Sequence, residues 1–252
     1  MRSVQSSLLS LHKNIIHAFS TKQNGNSNFP FAQNNLAYHV NDDPKIVYKN
    51  HQNYAKYLNY DIQKLIYMQQ IHSDKIMIID KSSDLASIPQ CDALITQEKN
   101  IPLMVMVADC VPILIYDPIH KVIAVVHAGR AGTFKKILEK TLNLMKNKYD
   151  TEAEDIEIVL GPSIRQCCYE VGDEIIKEAT RLNYDSAIKY TDDKKMSLDL
   201  IHILKEQLKH LGTPIEQVEI SPYCTSCNKE LFFSYRAEHN NTGRFSGLIM
   251  LK

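Results

Sequence analysis

The chain has 252 residues, with 29 basic and 29 acidic side chains and so no formal net charge at pH 7. That length suits one large domain or two small ones with a substantial core. The charge balance argues against a nucleic acid or an anionic membrane surface as partner, since both favour a basic excess.

No stretch approaches the roughly 18 consecutive apolar residues of a membrane span. The opening MRSVQSSLLSLHKNIIHAF is broken by His12, Lys13 and Asn14, so a secretory signal is not expected. Six cysteines without such a signal point to a reducing cytoplasm rather than a disulfide scaffold.

In chain order, residues 14–20 are expected to form a first strand, followed by a polar loop from Lys22 to Gln33 that reads as a surface loop rather than a mobile lid. Asp43-Pro44 has the form of an N-cap and first helical position. The helix should run to about Leu58 with Val47, Tyr54, Tyr57 and Leu58 inward. Strands are expected at Leu65–Gln70, Lys75–Ile79 and Cys91–Thr96. A helix is expected from about Thr133 to Lys146, its apolar residues Phe134, Ile137, Leu138, Leu142 and Met145 at helical spacing. Ile156–Leu160 reads as a strand, Gly172–Leu182 and Ser197–Leu211 as helices, and Gly212 as a C-terminal cap. Val218–Ser221, Leu231–Tyr235 and Phe245–Leu251 complete the expected strands. No repeat, linker or low-complexity tract divides the chain, which predicts one α+β domain over residues 1–252.

The centre of this pattern is Pro102–Gly132, PLMVMVADCVPILIYDPIHKVIAVVHAGRAG. Its blocks Leu103–Ala108, Val111–Tyr116 and Val122–Val126 are continuous and rich in Val and Ile, as in strands buried on both faces. Asp109-Cys110 interrupts them and His127 ends them. With His72 they form a set of two imidazoles and a thiol at predicted strand ends, a donor set suited to zinc with one position open. The spacing matches no local metal box, so two satisfied core histidines and an inert buried thiol are the reading that these residues alone favour. A third reading takes Cys110 as a nucleophile with His127 as its base. Cys224-Thr225-Ser226-Cys227 is half a structural zinc site or a redox pair. No second CxxC completes it, and the adjacent Cys167-Cys168 is an unusual complement, so a structural or incidental role is expected.

Several blocks together resemble a known family. They are Gln70-Ile71-His72, Ala108-Asp109-Cys110-Val111-Pro112 and His127-Ala128-Gly129, with Leu160-Gly161-Pro162-Ser163-Ile164 and Cys167-Cys168-Tyr169-Glu170-Val171-Gly172 after them. Phe232-Phe233-Ser234-Tyr235-Arg236 and Thr242-Gly243-Arg244 close the set; Phe19-Ser20-Thr21 and His39-Val40-Asn41-Asp42-Asp43-Pro44 precede it. In this order they resemble the bacterial YfiH-like family, also described as multicopper polyphenol oxidase or laccase-like, as purine nucleoside phosphorylase and as peptidoglycan editing factor.

The resemblance implies a layered α/β/β/α domain with mixed sheets and a zinc ion on His72, Cys110 and His127, copper being the alternative metal. It implies phosphorolysis of purine nucleosides such as adenosine, inosine and methylthioadenosine, with adenosine deamination alongside; the partners would be nucleoside and phosphate. Cys110, His127 and Asp109 are then the catalytic candidates, with Asp109 favoured as a residue that orients a ligand. Competing readings are a cysteine hydrolase editing cell-wall precursors and a copper phenol oxidase. The latter wants more histidines than the three blocks supply, and no His-X-His pair occurs. The family's His-Ala-Gly-Trp-Arg-Gly is here His127-Ala128-Gly129-Arg130-Ala131-Gly132, its Thr-Arg is Thr21-Lys22, and its Asn-Arg is Asn50-His51. These changes spare the three ligands and bear on phosphate, which arginine holds best. Lys22 and Arg130 are the substrate-binding candidates to compensate.

Overall fold

In a computed structural model, residues 3–83, 87–190 and 195–252 are described. The strands are β1 (Ser3–Val4), β2 (Ile15–Ser20), β3 (Ile66–Tyr67), β4 (Ile76–Ile79), β5 (Ala93–Thr96), β6 (Leu103–Val107), β7 (Val111–Asp117), β8 (Val122–Ala128), β9 (Glu157–Leu160), β10 (Glu170–Val171), β11 (Ile188–Tyr190), β12 (Met196–Leu198), β13 (Val218–Ile220) and β14 (Phe245–Leu251). The helices are α1 (Pro44–Leu58), α2 (Arg130–Phe134), α3 (Ile137–Tyr149), α4 (Asp173–Arg181) and α5 (Leu200–His210).

The strands make a five-stranded sheet in the order β1-β2-β14-β6-β3 and a six-stranded sheet in the order β13-β9-β7-β8-β5-β4. Both are mixed, with parallel pairs β3–β6, β4–β5 and β9–β13 among antiparallel ones. Alternation along the strands explains the layering, because successive side chains leave opposite faces. In β7 and β8, Val111, Ile113, Ile115, Val122, Ala124, Val126 and Ala128 pack with α2, α3, α4 and α5. The intervening Leu114, Tyr116, Ile123 and Val125 meet Leu103, Val105 and Val107 of β6 and Ile249 and Leu251 of β14. The other faces of β6 and β14, Met104, Met106, Leu248 and Met250, meet Tyr54, Ala55 and Leu58 of α1. The order helix, sheet, sheet, helices follows, and the continuous apolar blocks are indeed covered on both sides. Burying each such Val, Leu or Ile contributes about 1.5–3 kcal/mol.

Several elements differ from the sequence expectation for local reasons. Tyr57 is half-exposed, and its place on the inner face of α1 is taken by Asn50 and His51, which follow Val47 at helical spacing and lead to Tyr54 and Leu58. Leu65–Gln70 shortens to Ile66–Tyr67, with Gln69 in an isolated bridge to Gln90. The helix expected from Thr133 to Lys146 is two helices, broken where Lys136 takes φ 60°. Ser197–Leu211 is likewise divided, β12 preceding α5, and β12 joins β10 and β11 in a small antiparallel sheet. Leu231–Tyr235 is not a strand: Phe232 N–H bonds to Asn228 O and Ser234 N–H to the Glu238 carboxylate, giving turns that bury both phenylalanines. The Lys22–Gln33 loop is tied to the body through Lys22 N–H on Leu231 O and through Asn50, which bonds Asn26, Ser27 and Asn35. Among the described residues, no helix is long and apolar enough to cross a membrane.

Candidate metal centre

His72, Cys110 and His127 come together. One ligand atom from each lies within 4.8 Å of the others, and the two imidazole rings meet edge-on with centroids 4.8 Å apart. His127 ends β8. Cys110 sits between β6 and β7, after Asp109 at φ 88°, and His72 occupies a left-handed turn at φ 54° between β3 and β4. His72 is exposed, Cys110 half-buried and His127 buried, so the group opens to solvent on the His72 side.

Asp92, just before β5, holds this arrangement and is not singled out by the sequence. Its fully buried carboxylate accepts from His127 Nδ1 at 2.8 Å, His72 N at 3.0 Å, Ser73 N at 2.6 Å and Ser73 Oγ at 2.7 Å. One carboxylate therefore fixes both the ring of His127 and the backbone of the turn that presents His72. Burial opposes its charge, but these hydrogen bonds from His127 and Ser73 outweigh burial and hold the carboxyl down to about 2. Binding Nδ1 leaves His127 Nε2 for a metal, the carboxylate–histidine–metal arrangement. A lone acid before the buried run Ala93–Thr96, between the first and third blocks, was the available signal.

Asp109, the expected orienting residue, meets neither histidine. Its oxygens accept from Thr225 Oγ1 at 2.6 Å and from the Arg236 backbone N–H at 2.7 Å, and the carboxylate on His127 is that of Asp92. Asp109 instead pins the Cys110 segment to the 221–238 region.

Burial lowers the proton affinity of His127, yet the neighbouring Cys110 sulfur and the Asp92 carboxylate push it up to about 9. Burial and the His127 ring, with Arg244 and Arg130 further off, hold His72 below the usual histidine range. Gly129 shows that room at the centre is reserved for a ligand. A Cβ built on it would stand 2.9 Å from the Cys110 sulfur and 3.2 Å from His72 Nδ1. Two imidazoles, a thiol, an orienting carboxylate and this cradle fit a bound metal ion.

Beside Cys110 is a cavity of about 150 Å³ lined by Asp109, Cys110, Arg130, Tyr169, Tyr235 and Arg236, among others. Its size suits one part of a ligand rather than the whole, since pockets for entire small molecules span roughly 300–1,000 Å³. Arg130 stands on the wall with Nη1 donating to Glu178 at 2.7 Å. Burial raises the Tyr169 phenol, which stays protonated near Cys110. Lys22 is placed apart from this wall, in an ion pair with Glu238 at 2.9 Å and over the Phe233 ring.

The family described as multi-copper polyphenol oxidoreductase laccase matches residues 16–252. The chain belongs to that family. Curated relatives include purine nucleoside phosphorylase YlmD of Bacillus subtilis, 32% identical over 96% of this chain and 90% of that protein. A purine nucleoside phosphorylase of Corynebacterium glutamicum is 34% identical over 92% of this chain and 93% of its own length. Among solved structures, YlmD of Geobacillus stearothermophilus superposes with a TM-score of 0.90 at 30% identity, covering 98% of this chain and 94% of the other. The layered α+β architecture is thus the one these relatives share.

Proposed function

We propose that the protein is a zinc-dependent purine nucleoside phosphorylase. In this reading His72, Cys110 and His127 hold the ion, and adenosine, inosine and methylthioadenosine are substrates, with adenosine deamination as a companion reaction. The observation that carries the reading is the meeting of a three-ligand centre with an arginine-bearing cavity in a chain whose relatives are named for that activity over most of their length. Zinc would polarise a substrate or water oxygen as a Lewis acid.

The chain's own residues do the rest. Asp92 keeps the His127 ring turned so that Nε2 faces the centre. Arg130 and Arg236 line the cavity, and guanidinium groups suit a phosphate dianion. Arg130 directly follows Gly129, so the changed His127–Gly132 block still presents a guanidinium to the cavity. Tyr169 and Tyr235 offer flat apolar walls with polar tips, suited to a purine or ribose ring. Lys22 contributes from a distance by holding Glu238 rather than by meeting phosphate.

One observation favours a second reading. The Cys110 sulfur stands within 4.8 Å of a His127 ring nitrogen, and His127 in turn bonds Asp92, giving the order nucleophile, base and orienting acid of a cysteine hydrolase. Assaying adenosine and inosine anaerobically with phosphate, with and without a zinc chelator, separates the readings. Formation of ribose 1-phosphate that needs phosphate, stops with chelator and returns with zinc is the expected result. If neither ribose 1-phosphate nor inosine forms from adenosine by zinc-loaded protein, the purine reading fails. Hydrolysis of a cell-wall peptide precursor that survives chelation would support the second reading, and oxygen uptake on phenols would support a copper oxidase.

A further inference from the structure

The remaining thiols, apart from the buried Cys91, form a second group. Cys167 and Cys168 lie in the turn after β9, and Cys224 and Cys227 in the turn after β13. Their sulfurs all fall within 4.8 Å of one another. The separations are 3.7 Å for Cys167–Cys168, 3.8 Å for Cys167–Cys224, 3.8 Å for Cys167–Cys227 and 3.4 Å for Cys168–Cys227. A tetrahedron of sulfurs about one zinc ion, with bonds of ~2.3 Å, has edges of ~3.8 Å. A disulfide would bring one pair to ~2.05 Å and leave the other two sulfurs without a role.

We propose that Cys167, Cys168, Cys224 and Cys227 bind one zinc ion as a closed tetrathiolate site that staples the 161–169 turn to the 221–228 turn. Two of the four cysteines are exposed and one is half-buried, so they are not there to fill a core. Backbone N–H groups of Cys227 and Arg165 donate to the Cys224 sulfur. Arg165, whose guanidinium interacts with Cys167 and Cys224, offsets one of the two negative charges of a zinc tetrathiolate. That guanidinium is itself fixed by Ser163 Oγ at 3.0 Å and by Ser221 O. Zinc is the ion best matched to four thiolates in a tetrahedron with no open position.

The staple also reaches the first centre. Thr225 lies between Cys224 and Cys227, and its N–H bonds Ser163 O at 3.1 Å while its hydroxyl bonds Asp109 Oδ1 at 2.6 Å. Asp109 adjoins Cys110. The four-cysteine site therefore braces the loop that positions Cys110, without contributing a ligand there.

Metal analysis of protein purified under reducing, anaerobic conditions tests this, using the parent, Cys168→Ser/Cys227→Ser and His72→Ala/His127→Ala. The expected zinc content is two ions per chain in the parent and one in each double variant. Cobalt(II) added to metal-stripped parent provides a readout that needs no variant to fold. Thiolate-to-cobalt absorption should reach about five-fold that of a one-thiolate centre, reflecting four thiolates here plus Cys110. Unchanged zinc in Cys168→Ser/Cys227→Ser overturns the proposal, as does a cobalt spectrum of a one-thiolate site alone. A Cys224–Cys227 disulfide that, once reduced, still fails to bind zinc also overturns it. None of these readouts depends on the nucleoside reaction.

Discussion

A carboxylate buried as fully as Asp92 has to be met by donors on nearly every side, and here those donors come from two strand ends that are distant in sequence. His127 and the His72–Ser73 turn share it, so the two histidines are set relative to each other before any metal arrives. Asp92→Asn keeps the shape but removes the charge and one acceptor. The expected outcome is metal affinity weaker by roughly 10–100-fold, as for other losses of a ligand-orienting partner, with the fold retained. Chelator competition against the parent measures it; affinity within two-fold of the parent would show that Asp92 does not orient the ligands. His72, Cys110 and His127 stood out in the sequence because each falls at the edge of an apolar block, though only the family resemblance joined them as a metal set, whereas Asp92 did not stand out, since its importance lies in hydrogen bonds made after β4, β5 and β8 align. The same limit applied to the cysteines: a CxxC and a Cys-Cys pair 56 residues apart carry no mark of their meeting until β9 and β13 pair in parallel.

At the level of elements, apolar periodicity was a good guide to where strands and helices lie and a poor one to where they stop. Phe245–Leu251 is buried along its length and matched expectation, while the expected block Val122–Val126 is buried throughout and its strand runs on to Ala128. The 133–146 segment keeps helical spacing throughout, so nothing apolar announces its break. The break comes from the backbone: Lys136 at φ 60° lets α2 turn away while Phe134, Ile137 and Leu138 all stay in one cluster. A side chain in that left-handed region costs about 1 kcal/mol or more. Lys136→Gly should therefore stabilise the protein by ~0.5–1 kcal/mol, its exposed ion pair with Glu139 contributing little. Urea unfolding at neutral pH checks the sign; destabilisation would show that the lysine side chain matters more than the backbone.

Across the whole molecule, buried histidines outside the metal centre set the response to acid. Burial lowers His17 from 6.5 to about 4, and His51 from 6.5 to about 4, despite hydrogen bonds with Ser6 and Leu36. Both are neutral when folded and gain a proton on unfolding between these values. Their contribution is complete above pH 6.5, falls as pH drops through the window from 6.5 to 4, and falls no further below it. Between pH 7 and pH 5 each should remove about 2 kcal/mol of stability. Denaturant unfolding at the two pH values measures the sum, and His17→Gln should remove about half of the difference. A parent whose stability is flat over this range would contradict the assignment of neutral buried rings.

The two main sheets have separate hydrogen-bond networks, and two of the chain's passages between them carry candidate metal ligands. His72 lies on the passage from β3 to β4, and Cys110 on the passage from β6 to β7, while His127 belongs to the six-stranded sheet itself. An ion held by all three is then a rivet through the seam, resisting shear of one sheet over the other. Its removal should be felt first as slippage at the seam and only later as loss of strands. Hydrogen exchange after chelation should quicken at 69–75 and 108–111 while the centres of β7, β8 and β14 keep their protection; uniform quickening would mean that the ion supports the fold generally.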